Sequence, residues 1–216
     1  MNFLENNHMM PKKYPFPYGW LILIIFALVA YTLPWVVGGG ASVSFGAFDL
    51  AEWASLHPTN RAMSPILLTS FLLRFPLVCM AWAVAFNAPP QPFRSFGWWG
   101  YALICLILAI LSTPPLEFIT TNRDDINYLQ QAGLTLLTLI GSGIGLSGIM
   151  TPIRGYISLG ACAIGMITSI WGASLGYVLL TEFQISVTIG IGVIGIVGVF
   201  IVMSGYVWDK ELKRRR

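Results

Sequence analysis

Apolar residues in this chain come in long runs, and the polar residues collect in the gaps between them. Six runs reach or approach the length that crosses a bilayer as a helix, about 20 residues. They cover residues 18–37, 65–86, 96–112, 132–150, 157–180 and 185–207. Pro34 and the Gly38-Gly39-Gly40 triplet end the first run. A Pro-rich turn (NAPPQPFRS) separates the second from the third, and Pro114-Pro115 closes the third. The fold expected is an all-α, polytopic integral membrane protein, a bundle of six transmembrane helices. The first run follows seventeen residues containing Lys12 and Lys13, so it reads as a retained helix rather than a signal peptide.

The gaps carry their own pattern. The connection Gly38–Ser64 is 27 residues, long for a compact domain. Within it, residues 47–57 (AFDLAEWASLH) have helical spacing. Leu50, Trp53, Ala54 and His57 share one face, while Asp49 and Glu52 lie three apart on another. A short amphipathic helix at the membrane surface is expected here, in the first non-cytoplasmic loop. In the loop 113–131, Asn122 or Thr121 is placed to cap a short helix leading into the fourth run.

Charge then orients the bundle. With six spans the termini share one side, which collects Lys12, Lys13, Arg94, Arg154, Lys210, Lys213, Arg214, Arg215 and Arg216. The other side holds only Arg61 and Arg123 beside Asp49, Glu52, Glu117, Asp124, Asp125 and Glu182. Five or seven spans would divide the basic ends between the two faces. The positive-inside rule therefore places both termini in the cytoplasm, as in a bacterial-type inner membrane. Residues 1–17 read as a cytoplasmic arm, 18–207 as the transmembrane domain, and 208–216 as a basic cytoplasmic tail that meets anionic lipid rather than nucleic acid.

Composition adds two points. Fifteen of the 22 glycines lie between Gly133 and Gly205. Gly141, Gly145 and Gly148 in the fourth run and Gly172 and Gly176 in the fifth are read as helix-packing positions. They serve either contact among the last three spans or a smooth groove for a partner helix, a lipid tail, or a flat quinone, carotenoid or chlorophyll-type pigment. The three cysteines (Cys79, Cys105, Cys162) fall inside spans with no CxxC or Cys/His grouping, so they read as small buried thiols. The first half is rich in aromatics and proline and the second in glycine, so no inverted repeat is supported.

Candidate chemistry concentrates on Arg74, the tenth residue of a 22-residue run, with Pro76 just beyond it. A charge at the bilayer centre costs on the order of 2.5–3.5 kcal/mol on insertion scales, so Arg74 must face protein, water or an anion. Asp49 and Glu52 are the nearest carboxylates on the same side, with Asp124 and Asp125 as further options. A clasp to Asp49/Glu52 would pin the loop helix to the second span. A lipid phosphate, the polar head of a quinone or pigment, or another subunit would serve equally. His57, at the end of the loop helix, completes the polar cluster Arg74, Asp49, Glu52, His57; a lone histidine there reads first as an interfacial polar residue.

No histidine lies in a span, which argues against a haem-bearing cytochrome. No span has a carboxylate at its middle, and no nucleotide-binding, serine-hydrolase or zinc-protease motif occurs. No catalytic, metal or intrinsic cofactor site is expected. Three functions fit: a non-catalytic transmembrane subunit of a larger membrane complex of respiratory or photosynthetic type, touching lipid, quinone or pigment; a small-solute transporter or channel; or a lipid-modifying membrane enzyme using the four-residue cluster. Membrane lipids and other transmembrane subunits are the partners implied.

Overall fold

The computed structural model describes residues 15–39, 43–90, 92–93, 95–184 and 186–215. Most of the expected N-terminal arm, with Lys12 and Lys13, and also Arg94 and Arg216, lie outside them. Four helices are long and apolar enough to cross a membrane: α4 (Leu68–Asn87), α7 (Ile126–Ser147), α8 (Arg154–Thr181) and α9 (Ile191–Arg215). Two shorter apolar helices, α1 (Tyr18–Thr32) and α5 (Phe96–Leu111), pack beside them.

The organising element is α4. Most of its side chains are buried, on every face, because α8, α7, α5 and the short helix α2 (Ala47–Leu56) surround it. Close approach is made possible by glycine. A Cβ on Gly172 of α8 would stand 3.0 Å from the Leu73 backbone nitrogen and 3.1 Å from the Leu72 carbonyl carbon. One on Gly145 of α7 would stand 2.8 Å from the Ala85 methyl, and one on Gly141 would overlap the Trp82 ring. One on Gly176 of α8 would stand 2.9 Å from a Leu50 methyl of α2. These four glycines therefore seat α7 and α8 on α4 and α2, rather than on one another. Gly148 differs from the packing role expected of it: at φ +76° it is the left-handed residue that ends α7.

The ends of the runs depart from hydropathy for identifiable reasons. α1 stops at Thr32, since Leu33 precedes proline and turns extended. The β-branched residues that follow form β1 (Val36–Gly38), the middle strand of a small antiparallel sheet with β2 (Ser44–Phe45) and β3 (Val187–Ile189). The sixth run thus opens as a strand, not a helix, and α9 begins only at Ile191. A Cβ at Gly190 would overlap the Pro34 carbonyl, so only glycine lets the two segments meet there. α7 starts at Ile126, earlier than expected, with Asp125 rather than Asn122 or Thr121 capping it: its carboxylate accepts from Asn127 N at 2.8 Å. α9 continues through residues where a separate tail was expected.

Two ends result. At one, the β-sheet, α2, α3 (Pro58–Ala62) and α6 (Glu117–Thr120) gather, tied by Thr59 to Glu182 (2.8 Å) and Arg61 to Asp125 (3.9 Å). At the other lie Arg154, Lys210 and the C-terminus of α4. Lys210 Nζ donates to the Asn87 carbonyl (2.7 Å) and side-chain oxygen (2.8 Å), and Arg154 donates to Ala88 O (2.9 Å). Cations here satisfy carbonyls that the end of α4 leaves without helical partners.

Candidate polar site at the acidic end

Arg74 sits in the second turn of α4, roughly 9 Å along the helix from its first residue. Its side chain is 8% exposed and makes two directed contacts. Nη2 donates to Glu52 Oε2 at 2.8 Å, and Nη1 donates to Asn127 Oδ1 at 2.5 Å. One guanidinium thereby joins α2, α4 and α7. Asn127 is held in place by the Asp125 cap at the start of α7. Next to Arg74, the buried Tyr31 hydroxyl of α1 donates to the Leu73 carbonyl. The turn before Pro76, where the Leu72 carbonyl loses its helical donor, is thus held by Tyr31 on one side and the Gly172 contact on another.

The expected cluster is divided. Glu52 pairs with Arg74, whereas Asp49 is exposed and has no ion-pair partner among the described residues. His57 goes elsewhere. It is 5% exposed, between Trp53 (ring centroids 5.2 Å) and Phe183 (5.0 Å). Its Nδ1 accepts from Thr59 N at 3.2 Å, capping α3, and its Nε2 lies 3.7 Å from Glu182, beyond hydrogen-bond reach. The helix carrying these residues, α2, buries Ala47, Leu50, Ala51 and Ala54 in the bundle instead of lying apart from it.

Beside the Arg74–Glu52 pair a cleft of about 550 Å³ opens at this end. Asp49 and Glu52 form one wall, Ser112, Thr113 and Glu117 another, and Tyr128 and Gln131 of α7 a third. Its charged groups are three carboxylates and one guanidinium. Gln131 is buried, and its Nε2 has no hydrogen-bond partner among the described residues. Asn127, Tyr128 and Gln131 escape hydropathy because they are uncharged; their i, i+1, i+4 spacing on an early start of α7 was the available signal.

A second, apolar cavity of about 590 Å³ opens sideways between α5 and α7, lined by Trp98, Cys105, Leu139, Ser142 and Leu146 among others. All three cysteines are free and buried. No group of three or more His, Cys, Asp or Glu among the described residues is arranged to hold a metal ion. No protein-family model, curated protein or solved structure matches this chain.

Proposed function

We propose that this protein is a six-span integral membrane protein with its basic end in the cytoplasm, acting as a non-catalytic subunit of a larger membrane assembly. The two shorter helices complete the six crossings. α1 has 15 residues, about 23 Å of helix. The extended segment Leu33–Val37 adds the remainder of a ~30 Å apolar core.

The observation that carries the subunit reading is the set of glycines facing outward. Among the described residues, Gly133, Gly143, Gly160, Gly198 and Gly205 have nothing within 4 Å of the position a Cβ would take. Glycine in a helix interior costs roughly 1 kcal/mol relative to alanine, and lipid alone gives nothing in return. A partner helix does, by approaching closely. On α9, Gly198 and Gly205 lie among the exposed Ile194, Ile201 and Val202, a face suited to such a helix. The lateral α5–α7 cavity supports an accompanying lipid tail, quinone or pigment.

Purification from native membranes with identification of co-migrating chains tests this. A stable set of larger membrane proteins, lost on Gly198→Leu while the isolated chain keeps its stability, is expected. A monodisperse lone chain overturns the reading.

Transport is the second reading, favoured by the cleft that reaches Arg74. Against it, α4 is closely packed from Leu77 to Ala85, with Trp82 alone only partly buried, which leaves no passage along it to the basic end. Flux of small solutes into liposomes carrying the protein separates the two. The enzymatic reading needs His57 beside Arg74, and His57 turns to Glu182 instead.

A further inference from the structure

We propose that His57 is a proton-operated latch at the acidic end: neutral, it caps α3; protonated, it releases α3 and joins Glu182. The imidazole is 5% exposed, and its two nitrogens are used unequally. Nδ1 accepts from Thr59 N at 3.2 Å, so the neutral ring carries its proton on Nε2. That Nε2 is buried and has no hydrogen-bond partner among the described residues, an arrangement that costs free energy. Glu182 Oε2 stands 3.7 Å from it, about 1 Å too far for a hydrogen bond, and accepts from the Thr59 hydroxyl at 2.8 Å.

A second proton on the ring changes both nitrogens at once. Nδ1 becomes a donor facing the Thr59 N–H, itself a donor, so the cap is lost. Nε2 becomes part of a cation beside a carboxylate. The two changes pull the ring the same way, off α3 and toward the end of α8. The other charges on the elements around His57 are engaged elsewhere or line another surface. Glu52 of α2 pairs with Arg74 of α4, and Asp49 lines the cleft beside that pair. Arg61 of α3 donates to Ser55 O at 2.7 Å and lies 3.9 Å from Asp125. Tyr177 is the one titratable side chain in the last two turns of α8, and it brings no second carboxylate. What the latch holds is a joint. Asn60 of α3 donates to Ala54 O of α2 at 2.8 Å, and its side-chain oxygen accepts from Thr69 N at the start of α4 at 3.2 Å. Acid at this end therefore loosens the short helix that ties α2 to α4. Every group in the latch comes from this chain, so it operates whether or not the chain belongs to an assembly.

The test uses the purified full chain in nanodiscs from about pH 8 to about pH 5, the range in which histidine ordinarily gains its proton. The chain has two histidines, so His8→Gln leaves His57 as the one imidazole to follow by nitrogen NMR. At the alkaline end the ring is expected as the Nε2–H tautomer. As it gains its proton, the hydrogen-exchange protection factor of the Thr59 amide is expected to fall about tenfold, the scale of one helix cap. His57→Asn supplies a capping oxygen that does not titrate, and is expected to keep Thr59 protection constant over the range. Glu182→Gln removes the anion that draws the protonated ring, and is expected to move the fall in protection to lower pH. An Nδ1–H tautomer at the alkaline end, a ring still neutral at the acid end, or Thr59 protection unchanged while the ring titrates would each overturn the latch. So would a pH dependence that survives His57→Asn or is unmoved by Glu182→Gln.

Discussion

Neutralising Glu52 and neutralising Asp49 should have different consequences, although the two residues lie three apart on one short helix. Glu52→Gln removes the only carboxylate in contact with Arg74 among the described residues; the Arg74 side chain is 8% exposed. Breaking a fully buried pair from one side costs about 3–5 kcal/mol. Glu52, however, is 53% exposed, so water screens the pair and partly replaces it. Arg74 also keeps Asn127. The expected loss is therefore about 2 kcal/mol, between the buried and surface limits. Asp49→Asn touches no ion pair among the described residues and should fall within about 0.5 kcal/mol. Arg74→Leu leaves the buried Asn127 oxygen without its donor, costing about 1–3 kcal/mol. Glu52→Gln added to Arg74→Leu should then cost almost nothing more, since the carboxylate has lost its partner. Reversible unfolding in mixed micelles, run on the four variants and their parent, gives the coupling energy directly. Equal effects of Glu52→Gln and Asp49→Asn, or additivity of Glu52→Gln with Arg74→Leu, would refute the clasp.

Other variants probe the remaining contacts. Gly172→Val should destabilise the isolated chain by at least about 1–3 kcal/mol, because its Cβ meets backbone of α4 rather than a movable side chain. Gly160→Ala, which meets open space, should be neutral or stabilising by up to about 1 kcal/mol in the same unfolding assay. Lys210→Met removes two hydrogen bonds at the C-terminus of α4 and should cost about 1–3 kcal/mol, against less than about 0.5 kcal/mol for Lys213→Met, whose pair with Asp209 is exposed. For topology, Glu117→Cys should react with an impermeant maleimide from outside intact cells, and Lys213→Cys only after lysis. Labelling of both from one side would remove the six-span arrangement.

Hydropathy made the long helices legible because each is a run of apolar residues bounded by proline, glycine or charge. It also located α2 almost to the residue, since Leu50 and Ala54 keep helical spacing between a glycine and a proline. Of the site, Arg74 stood out as the one charge within a run, and a carboxylate of α2 as its partner was within reach. The choice between Asp49 and Glu52 was not, because it depends on how α2 is rotated against α4 and α8. Asn127 was hidden by its neutrality and by an α7 start that hydropathy set too late. The β-sheet was hidden for another reason. Val187–Ile189 is as apolar as the helix that follows, and only the demand for glycine at position 190 marks the change.

The position of Arg74 itself follows from where α4 stands. The central stretch of α4 is 78% buried, against 33% for α9, yet α9 is the more hydropathic of the two. This order is the reverse of a water-soluble protein, where the interior helix is the most apolar. In a bilayer the outer helices meet hydrocarbon and must be apolar, while the inner one meets protein and is free to carry polar groups where partners wait. α4 uses that freedom at both ends: Asn60, Thr69 and Ser70 are fully buried around its start, Arg74 follows one turn on, and Asn87 closes it against Lys210. A charge inside an apolar run is thus evidence first about neighbours. It identifies the helix that the others enclose, and the partners it requires (Glu52 and Asn127) are supplied by two of the elements that enclose it.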